Sequence, residues 1–597
     1  MMDDSMDFFY DQKKAFVNSL YWLKQEGEKR CLFETALWAD ECLQCQPEDM
    51  LEKIDYKENP LDQYSKKIEM LTNFVRSLIR NQEYHRAVYF SEQFPKPLTP
   101  LHCFLLHFSC YMVALKNKAE SDPDVPVVED TILGRLIIKM EMLRLESPDS
   151  FDCWMLYLLG MIMKTNKEDR KARTLFCEAI TAEWKCWPAW DNLALLITDK
   201  SELITLKSLP LTVWYYKLFS GKVYQRLNLI RDAIDIYEDL TTNLCGTMPY
   251  IVGENATATA ALQEHDPACD MFKSLRGNDP YRIQHMEVYA DSLYIRSRNQ
   301  ELYTLARFFE KSHKFTWQSC TIMANYFSRT GQHDRAQKIL VTATKLSPKN
   351  ALIWILLGHE CMELKDPTDA VTAYYKALEI DPLQHRAYYG LGQLYEIFKY
   401  TDFALYFYEQ AHRCRPNDSR FLVAIGVVLF HLHRNRDAEN AFIRAFKAGD
   451  IQGNALVKLA NLYESEDKPE KAFKAYSLFL KVYSDEIHSD QNMICNACLF
   501  LAKYYLERGN FDEANNYAQR CLVNEHTKEE GLRVINHVKL HNASPGTVDT
   551  TSKPYFADKM DESVNGREGT TSMFVELERD DGDAMALSDD DDDISFS

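Results

Sequence analysis

The sequence predicts an all-α solenoid, in which pairs of helices stack one on the next. Residues 351–382 and 385–416 agree at fixed offsets when they are aligned with a shift of 34 residues. The shared pattern is an aromatic residue, a Leu-Gly pair, an alanine, a tyrosine, a second alanine and a proline. A helix–turn–helix unit of this length and pattern is the tetratricopeptide repeat, or TPR. The predicted fold class is therefore a TPR superhelix.

The same register extends well beyond these two units. A small residue of the first helix recurs at steps of 34 residues, at Ala256, Ala290, Ala324, Gly358, Gly392, Gly426 and Ala460. A second-helix alanine follows at Ala268, Ala336, Ala370, Ala404, Ala438 and Ala472, with Leu302 in its place once. We interpret these positions as the points where the two helices of a unit pack closely. Residues 249–486 are thus predicted to form seven phased units that bind a partner.

The flanking segments complete the predicted organisation. A polar, proline-containing stretch precedes the clear pattern, and an irregular acidic stretch ends the chain. In chain order we predict N-terminal helices, with Gly27 between the first two, and divergent TPR units for dimerisation at 1–115; an acidic loop at 116–130; TPR units, one with a truncated second helix, at 131–248; the phased units at 249–486; a last unit with a capping helix at 487–540; and a disordered acidic tail at 541–597.

Composition excludes several other classes of protein. Apolar residues make up 46 % of the 597 residues and aromatic residues 12 %, which is enough for a continuous core. No apolar run approaches the roughly 18 residues that a membrane helix needs, and the first residues are acidic, unlike those of a secretory signal. We therefore expect a soluble intracellular protein without a membrane partner.

Charge and cysteine usage also argue against nucleic acid and metal binding. Of the net charge of −20, the last 57 residues carry −11, from 15 acidic and 4 basic residues, and no basic stripe stands out. The CxxC pairs Cys42/Cys45 and Cys495/Cys498 have helical spacing, and neither has a second pair nearby. We expect reduced thiols, no metal and no cofactor.

Catalytic signatures are missing from the sequence. Gly390 and Gly392 are similar to part of a dinucleotide-binding loop, but Tyr395 replaces the third glycine and no strand precedes them. Both glycines lie on the first helix of a unit, where close helix packing explains at least one of them. We therefore predict that the protein is not an enzyme.

A stack of TPR units presents its first helices along a concave groove that holds a partner segment. Counted from the start of a unit, the second, fifth, ninth and twelfth positions point inward, and the tenth lies at the rim. We expect these side chains to project into solvent and to bind an extended peptide with an arginine and an apolar anchor. In the units that begin at 317, 351 and 385, the predicted peptide-binding residues are Asn325, His359, Glu360, Tyr389, Gln393 and Glu396.

Several runs that the repeat consensus does not fix resemble a known family. They include RAYYGLGQLYEIFKYTDFALYFYEQAHRCRPNDSRFLVAIG, NDPYRIQHMEVYADSLYIRS and NFDEANNYAQRCLVNEHTKEEG. From about Asp11 to Leu540 the chain resembles subunit 8 of the anaphase-promoting complex, the cell-division-cycle 23 TPR family. The resemblance implies a non-catalytic scaffold subunit of a multi-subunit cullin-RING ubiquitin ligase that controls mitotic progression, located in the nucleus and cytoplasm.

The resemblance also implies partners. It implies a homodimer formed through the N-terminal repeats, contacts with other TPR and scaffold subunits, and an Arg-containing motif of the substrate-recruiting activator bound in the groove. Carried onto this sequence, that motif meets Asn325 and Glu360 first. For the dimer contact we expect exposed aromatic side chains of the N-terminal helices, namely Phe9, Tyr21, Trp22 and Trp38.

A TPR adaptor that binds the C-terminal peptides of chaperones is the alternative function. Its carboxylate clamp needs Lys-x3-Asn on a first helix, with further basic residues one repeat on. Asn325 is preceded at that offset by Thr321, and Asn461 by Val457, so the clamp is incomplete.

The acidic tail contains two candidate phosphorylation sites. Ser544 precedes a proline, and Ser588 precedes five aspartates, a context that acidophilic kinases favour. A phosphate there would add up to two negative charges.

Overall fold

The computed structural model describes residues 2–52, 54, 65–96, 98–120, 130–148, 151–206, 209–210, 214–246, 248–416, 418–450, 453–483 and 491–543. These residues form thirty α-helices, a π-helical turn at Thr241–Cys245 and a 3-10 turn at Cys521–Val523, and none of them lies in a β-strand. The predicted all-α fold class is confirmed. The helices are α1 Met2–Lys29, α2 Phe33–Gln44, α3 Glu48–Leu51, α4 Lys66–Arg80, α5 Tyr84–Ser91, α6 Pro100–Glu120, α7 Asp130–Glu146, α8 Cys153–Thr165, α9 Asp169–Ala182, α10 Trp187–Ala194, α11 Lys200–Thr205, α12 Trp214–Arg226, α13 Ile230–Leu240, α14 Pro249–Ala261, α15 His265–Asn278, α16 Met286–Ile295, α17 Asn299–Ser312, α18 Trp317–Arg329, α19 His333–Leu346, α20 Ala351–Glu363, α21 Pro367–Ile380, α22 His385–Ile397, α23 Thr401–Cys414, α24 Ser419–His431, α25 Asn435–Lys447, α26 Asn454–Ser465, α27 Pro469–Val482, α28 Gln491–Glu507, α29 Phe511–Arg520 and α30 Glu525–Ala543.

The described residues divide into two compact units. The first unit contains the residues up to Leu262 together with Pro267–His285. The second unit contains Gln263–Asp266 and the described residues from Met286 onward. The earliest of the seven phased repeats therefore belongs largely to the first unit.

In the repeats that carry glycine at the small position of the first helix, this glycine lies under an aromatic ring of the second helix. A Cβ atom at Gly358 would lie 2.6 Å from the ring of Tyr374 in the same repeat. One at Gly390, on the first helix of the next repeat, would lie 2.6 Å from the same ring. Tyr374 thus fills the space between two repeats, and packing explains Gly390 without a dinucleotide site. The second-helix alanines, such as Ala370, are fully buried as predicted.

The turn between the two helices of a repeat contains a residue with left-handed backbone conformation. This residue recurs from repeat to repeat, and the sequence analysis did not identify it. Positive φ angles recur at 34-residue steps, at Gln263, Ser297, Gly331, Lys365, Lys399, His433 and Asp467. At one of these turns the Lys365 amide donates to the Met362 carbonyl at 3.0 Å, and the Asp366 amide donates to the Cys361 carbonyl at 2.9 Å. This pair of bonds is the Schellman ending of a helix, which satisfies its last carbonyls.

The core of the first unit is built from large aromatic side chains that the TPR consensus does not specify. The ring of Trp22 stacks on Trp154 with centroids 5.9 Å apart, and Trp38 stacks on Trp187 at 5.3 Å. These contacts connect α1 and α2 with helices that follow more than 100 residues later in the chain. Stacked aromatic pairs add to the free energy of burial and fix the packing of the helices.

These contacts correct the expectation that the N-terminal aromatics are exposed. Trp22 and Trp38 are half-buried by contacts within the chain, and Tyr21 also packs against the core of the first unit. The expectation is wrong because these rings lie on the helix faces that meet α8, α10 and α12, which a repeat consensus does not show. The side chain of Phe9 lies outside the described residues.

Several helix boundaries differ from the prediction. Gly27 lies inside α1 rather than between two helices. The acidic loop was expected from residue 116, but α6 continues to Glu120. A further helix, α7 at Asp130–Glu146, was not identified from the sequence. The truncated second helix is α11, with 6 residues, and the capping helix is α30.

Candidate peptide-binding groove

The first helices α16, α18, α20, α22 and α24 of the second unit place their inward side chains on one curved face. Asp291 on α16 lies 3.9 Å from Arg386 on α22, measured from Oδ2 to Nη1. The helices α18 and α20 lie between them in the repeat order, and neighbouring helix axes are about 8–10 Å apart. Only a curved stack brings these side chains together. We call this face the first-helix groove.

Asn325 lies inside this groove and is bonded to an acidic side chain. It is buried, and its Nδ2 donates a hydrogen bond of 2.7 Å to Asp291 Oδ1. Burial raises the pKa of Asp291, while Arg386 and Asn325 oppose the increase. Asp291 is therefore a desolvated carboxylate whose charge would be stabilised by a further cation.

Glu360 is not solvated, which corrects the expectation that it projects into solvent. Its side chain is 10 % exposed, and its Oε2 lies 2.9 Å from His333 Nδ1. Burial raises the pKa of Glu360, and hydrogen bonds with Ser328 and His333 oppose the increase. The residue lies at the contact between α20 and the start of α19. The tenth position of this repeat is therefore more buried than the predicted rim position.

His359 is held by the aromatic residue at the centre of the repeat. The ring nitrogen Nδ1 of His359 is 2.9 Å from the hydroxyl of Tyr374. Burial, followed by the charge of Arg386, lowers the pKa of His359 to about 4. The imidazole is therefore neutral at neutral pH and offers hydrogen bonding without charge.

Tyr389 forms an aromatic surface in the groove. Its ring lies 5.4 Å from Tyr408 and 5.5 Å from Phe421, measured between centroids. Burial raises the pKa of Tyr389 to about 12, and a hydrogen bond with Gln393 opposes the increase. Both Tyr389 and Gln393 remain half-buried, so they can contact a ligand.

Glu396 has a role inside its own repeat. The hydroxyl of Tyr408 donates a hydrogen bond of 2.6 Å to Glu396 Oε2. The same bond recurs between Tyr476 and Glu464, also at 2.6 Å and also 12 residues apart. The bond joins the second helix of a repeat to its first helix, and it recurs at the same repeat positions. Glu396 is thus already hydrogen-bonded within its own repeat, so the structure does not place it beside Glu360 as a second open acceptor for a ligand.

The predicted set of peptide-binding residues leaves out charged residues at the starts of first helices. Arg386 and Arg420 occupy the second position of α22 and α24, and Asp418 is the N-cap of α24. The second position was recognised as inward, so that rule could have identified both arginines. Asp291 occupies the ninth position of its repeat, 34 residues before Asn325, so the same rule could have identified it, whereas its approach to Arg386 depends on the curvature of the stack.

The remaining predicted sites have mixed outcomes. Ser544 and Ser588 lie outside the described residues. Cys42, Cys495 and Cys498 are buried, whereas Cys45 is exposed.

No group of three His, Cys, Asp or Glu side chains in the described residues is placed to hold a metal ion. Among the same residues, no helix is long and apolar enough to cross a membrane.

The repeated helix pairs and the first-helix groove define a TPR protein. A TPR family model matches residues 323–385, which include Asn325, His359 and Glu360.

Comparison with known proteins places the chain in a particular TPR family. The family model described as anaphase-promoting complex subunit 8 / Cdc23 matches residues 18–249. The chain is 32 % identical to a Caenorhabditis elegans cell division cycle protein 23 homolog, over 97 % of this chain and 90 % of that protein. It is 31 % identical to an Arabidopsis thaliana anaphase-promoting complex subunit 8, over 74 % of this chain and 76 % of that protein. The chain therefore belongs to the Cdc23/anaphase-promoting complex subunit 8 family.

Among solved structures, the chain is similar to a crystal structure of the APC/C hetero-tetramer Cut9-Hcn1. The two chains are 16 % identical, with a TM-score of 0.49 over 80 % of this chain and 96 % of that one. A likeness this distant adds nothing about function.

Proposed function

We propose that this chain is a non-catalytic TPR scaffold subunit of the anaphase-promoting complex, a multi-subunit cullin-RING ubiquitin ligase, and that its first-helix groove binds an Arg-containing motif of a substrate-recruiting activator. Family membership supports the place in the complex, among other TPR and scaffold subunits. The observation that carries the peptide-binding role is a pair of desolvated carboxylates, Asp291 and Glu360, in one groove.

A peptide arginine suits these carboxylates for electrostatic reasons. Burial makes the ionised form of each carboxylate costly, which is why their pKa values are raised. A guanidinium placed beside them supplies charge-assisted hydrogen bonds and stabilises the ionised form of the carboxylates. Tyr389, with its half-buried ring, provides the apolar contact for a neighbouring side chain of the peptide.

The test is a titration of the full chain with a fluorescein-labelled peptide that carries one arginine and one tyrosine between glycine and serine residues. Replacing Glu360→Gln keeps the volume and removes the charge, so we expect affinity to fall by about 2 kcal/mol, or roughly thirtyfold. Glu363→Gln is the matched control, because Glu363 is exposed on the same helix. Equal affinity of wild type and Glu360→Gln would place the arginine elsewhere.

We further propose that the chain forms a homodimer through its N-terminal repeats. The support is two strongly exposed apolar side chains, Leu37 on α2 at 68 % and Met70 on α4 at 73 %. The end of α4 lies beside α2, since Arg80 is 5.0 Å from the ring centroid of Phe33. Large apolar side chains exposed on neighbouring helices are typical of association surfaces.

Sedimentation velocity of the full chain tests the dimer. We expect wild type to sediment as a dimer and Leu37→Asp to sediment as a monomer, because the new carboxylate would be buried in the interface. Leu540→Asp is the control, since Leu540 is 71 % exposed at the other end of the described chain. A monomeric wild type at micromolar concentration would contradict the proposal.

A further inference from the structure

Three arginines of the second unit converge beside the first turn of α24. Arg420 donates to both oxygens of Asp418, from Nε at 3.0 Å and from Nη2 at 2.7 Å. Arg415 reaches the same carboxylate at 3.7 Å. Asp418 also accepts the backbone amide of Arg420 at 3.1 Å, as the N-cap of the helix. One carboxylate therefore serves two guanidinium groups and a helix terminus.

Arg386 adds the third positive charge. It starts α22 at the position that Arg420 holds in α24, and the two first turns touch, since His385 lies 5.8 Å and Tyr389 5.5 Å from the ring of Phe421. The ion pair of Arg386 with Asp291 spans 3.9 Å, which is longer than a hydrogen bond, and its side chain is 54 % exposed. This guanidinium is held loosely compared with that of Arg420.

A neutral amide and two neutral rings also lie beside these guanidinium groups. With its side-chain amide turned so that the oxygen faces the guanidinium, Gln263 accepts from Arg420 Nη2 at 2.9 Å, which satisfies a donor but brings no negative charge. Burial and the neighbouring arginines lower the pKa of His265 and of His385 to about 3, so both rings are neutral. The positive ends of the α22 and α24 dipoles add to the field at the same place. Asp291 and Asp418 are the carboxylates that pair with these guanidinium groups at the distances given above.

We propose that Arg386, Arg415 and Arg420 form an anion-binding subsite of the first-helix groove, which takes a carboxylate or phosphoryl group of the bound peptide. The inference rests on the proposed function, because the anion belongs to the same peptide whose arginine binds near Asp291 and Glu360. Binding is an exchange of ion pairs. The peptide anion takes Arg386, the peptide arginine takes Asp291, and no charge is left without a partner.

The exchange explains why the groove can recognise a peptide with both charges rather than one. A peptide with an arginine alone would separate Asp291 from Arg386 and take away the carboxylate with which that guanidinium is paired. A peptide that also carries an anion restores the balance at a fixed distance from its arginine. The subsite therefore determines specificity for peptides in which an acidic or phosphorylated residue accompanies the arginine.

Fluorescence polarisation with the full chain and a set of labelled peptides tests this inference. Each acetylated and amidated peptide carries one arginine and one tyrosine between glycine and serine residues, with a single aspartate moved through the remaining positions. The matched peptide carries asparagine at the same position. At one position we expect the aspartate peptide to bind on the order of tenfold more tightly than its asparagine partner.

Variants of the chain identify the group that recognises the anion. Arg386→Gln should remove the difference between the aspartate and asparagine peptides, and Arg386→Glu should favour a peptide with lysine at that position. Arg413→Gln is the control, because Arg413 is exposed on the second helix α23. Circular dichroism checks that helix content is unchanged. A phosphoserine peptide and a peptide with a free C-terminal carboxylate distinguish the sources of the anion.

The outcomes separate this inference from the proposed function. If all arginine peptides bind equally and Glu360→Gln weakens them, the anion subsite is wrong and the proposed function stands. If only the free C-terminal carboxylate binds, without need of the arginine but dependent on Arg386, the subsite stands and a chaperone-adaptor role replaces the activator motif. If no peptide responds to Arg386→Gln, the inference is overturned.

Discussion

The repeat consensus leaves many positions unspecified, and the two units of the chain use these positions differently. In the first unit those residues are large aromatics, such as Trp22 and Trp154, which are stacked inside the core. The recurring contact of a small residue with an aromatic ring is present in both units, as between Gly160 and Phe176 in the first and between Gly358 and Tyr374 in the second. In the second unit the free positions carry a polar groove instead. Where the consensus residues alone fill the core, the other side chains of the first helices are available to bind a partner.

The largest expected effect comes from breaking the recurring core contact. Tyr374→Ala would leave a cavity between Gly358 and Gly390 and should lower the free energy of unfolding by about 4 kcal/mol. Tyr375→Ala is the control, because the neighbouring ring is 44 % exposed and should change stability by less than about 0.5 kcal/mol. Urea unfolding followed by circular dichroism measures both. Equal losses of stability in the two variants would mean that the contact of Tyr374 with the glycines does not stabilise the core of the second unit.

A charge reversal in the groove tests whether its polar residues are also structural. Glu360→Lys would place an ammonium group in a buried site beside His333, so we expect a loss of about 3 kcal/mol in stability. Glu363→Lys, on the exposed side of the same helix, should have almost no effect. Thermal unfolding of the two variants decides the point. A stable Glu360→Lys chain would show that this part of the groove is open to water, as the sequence alone indicates.

Acid should weaken the second unit through its neutral histidines. The pKa of His359 is lowered to about 4 and those of His265 and His385 to about 3, so the unfolded chain binds their protons first as pH falls below about 6.5. Stability is therefore complete above pH 6.5 and is lost towards the folded pKa values. The raised pKa values of Asp291 and Glu360 act in the opposite direction, since their protonation favours the fold.

Unfolding curves at pH 7 and pH 5.5 measure this loss. We expect a decrease on the order of 1 kcal/mol, because two of the three rings are only partly shielded from water. His385→Gln should reduce the pH dependence, and His526→Gln, at an exposed position, should leave it unchanged. A stability that rises between pH 7 and pH 5.5 would show that the carboxylates dominate.

The difference between the units also explains what the sequence predicts well. Register, helix pairing and buried alanines follow from a 34-residue period, because each repeat contacts mainly its neighbours. The stacking of Trp38 on Trp187 is not periodic, so only the folded chain reveals it. The groove falls between these cases. The period identifies the inward face that holds Asn325 and Glu360, but the ion pair of Asp291 with Arg386 depends on the curvature of the stack.

The smallest expected effect concerns the turn that joins the two helices of a repeat. Gly331 and Lys365 occupy the same turn position in successive repeats, with φ angles of 73° and 61°. Both turns have the same Schellman bonds, since the Gln332 amide donates to the Phe327 carbonyl at 2.9 Å as Asp366 does to Cys361. A side chain in this conformation is strained, whereas glycine adopts it readily.

Exchanging the residue types at these two turns should therefore change stability in opposite directions. Lys365→Gly should raise the free energy of unfolding by about 0.5 kcal/mol, because the relief of strain exceeds the entropy that glycine loses on folding. Gly331→Ala should lower it by about 1 kcal/mol. Both positions are exposed, so lost packing does not confuse the comparison. Urea unfolding of the two variants gives the sign of each change. Two changes of the same sign would show that the turn tolerates a side chain. Packing of the helices, rather than the turn, would then determine the stability of the repeat.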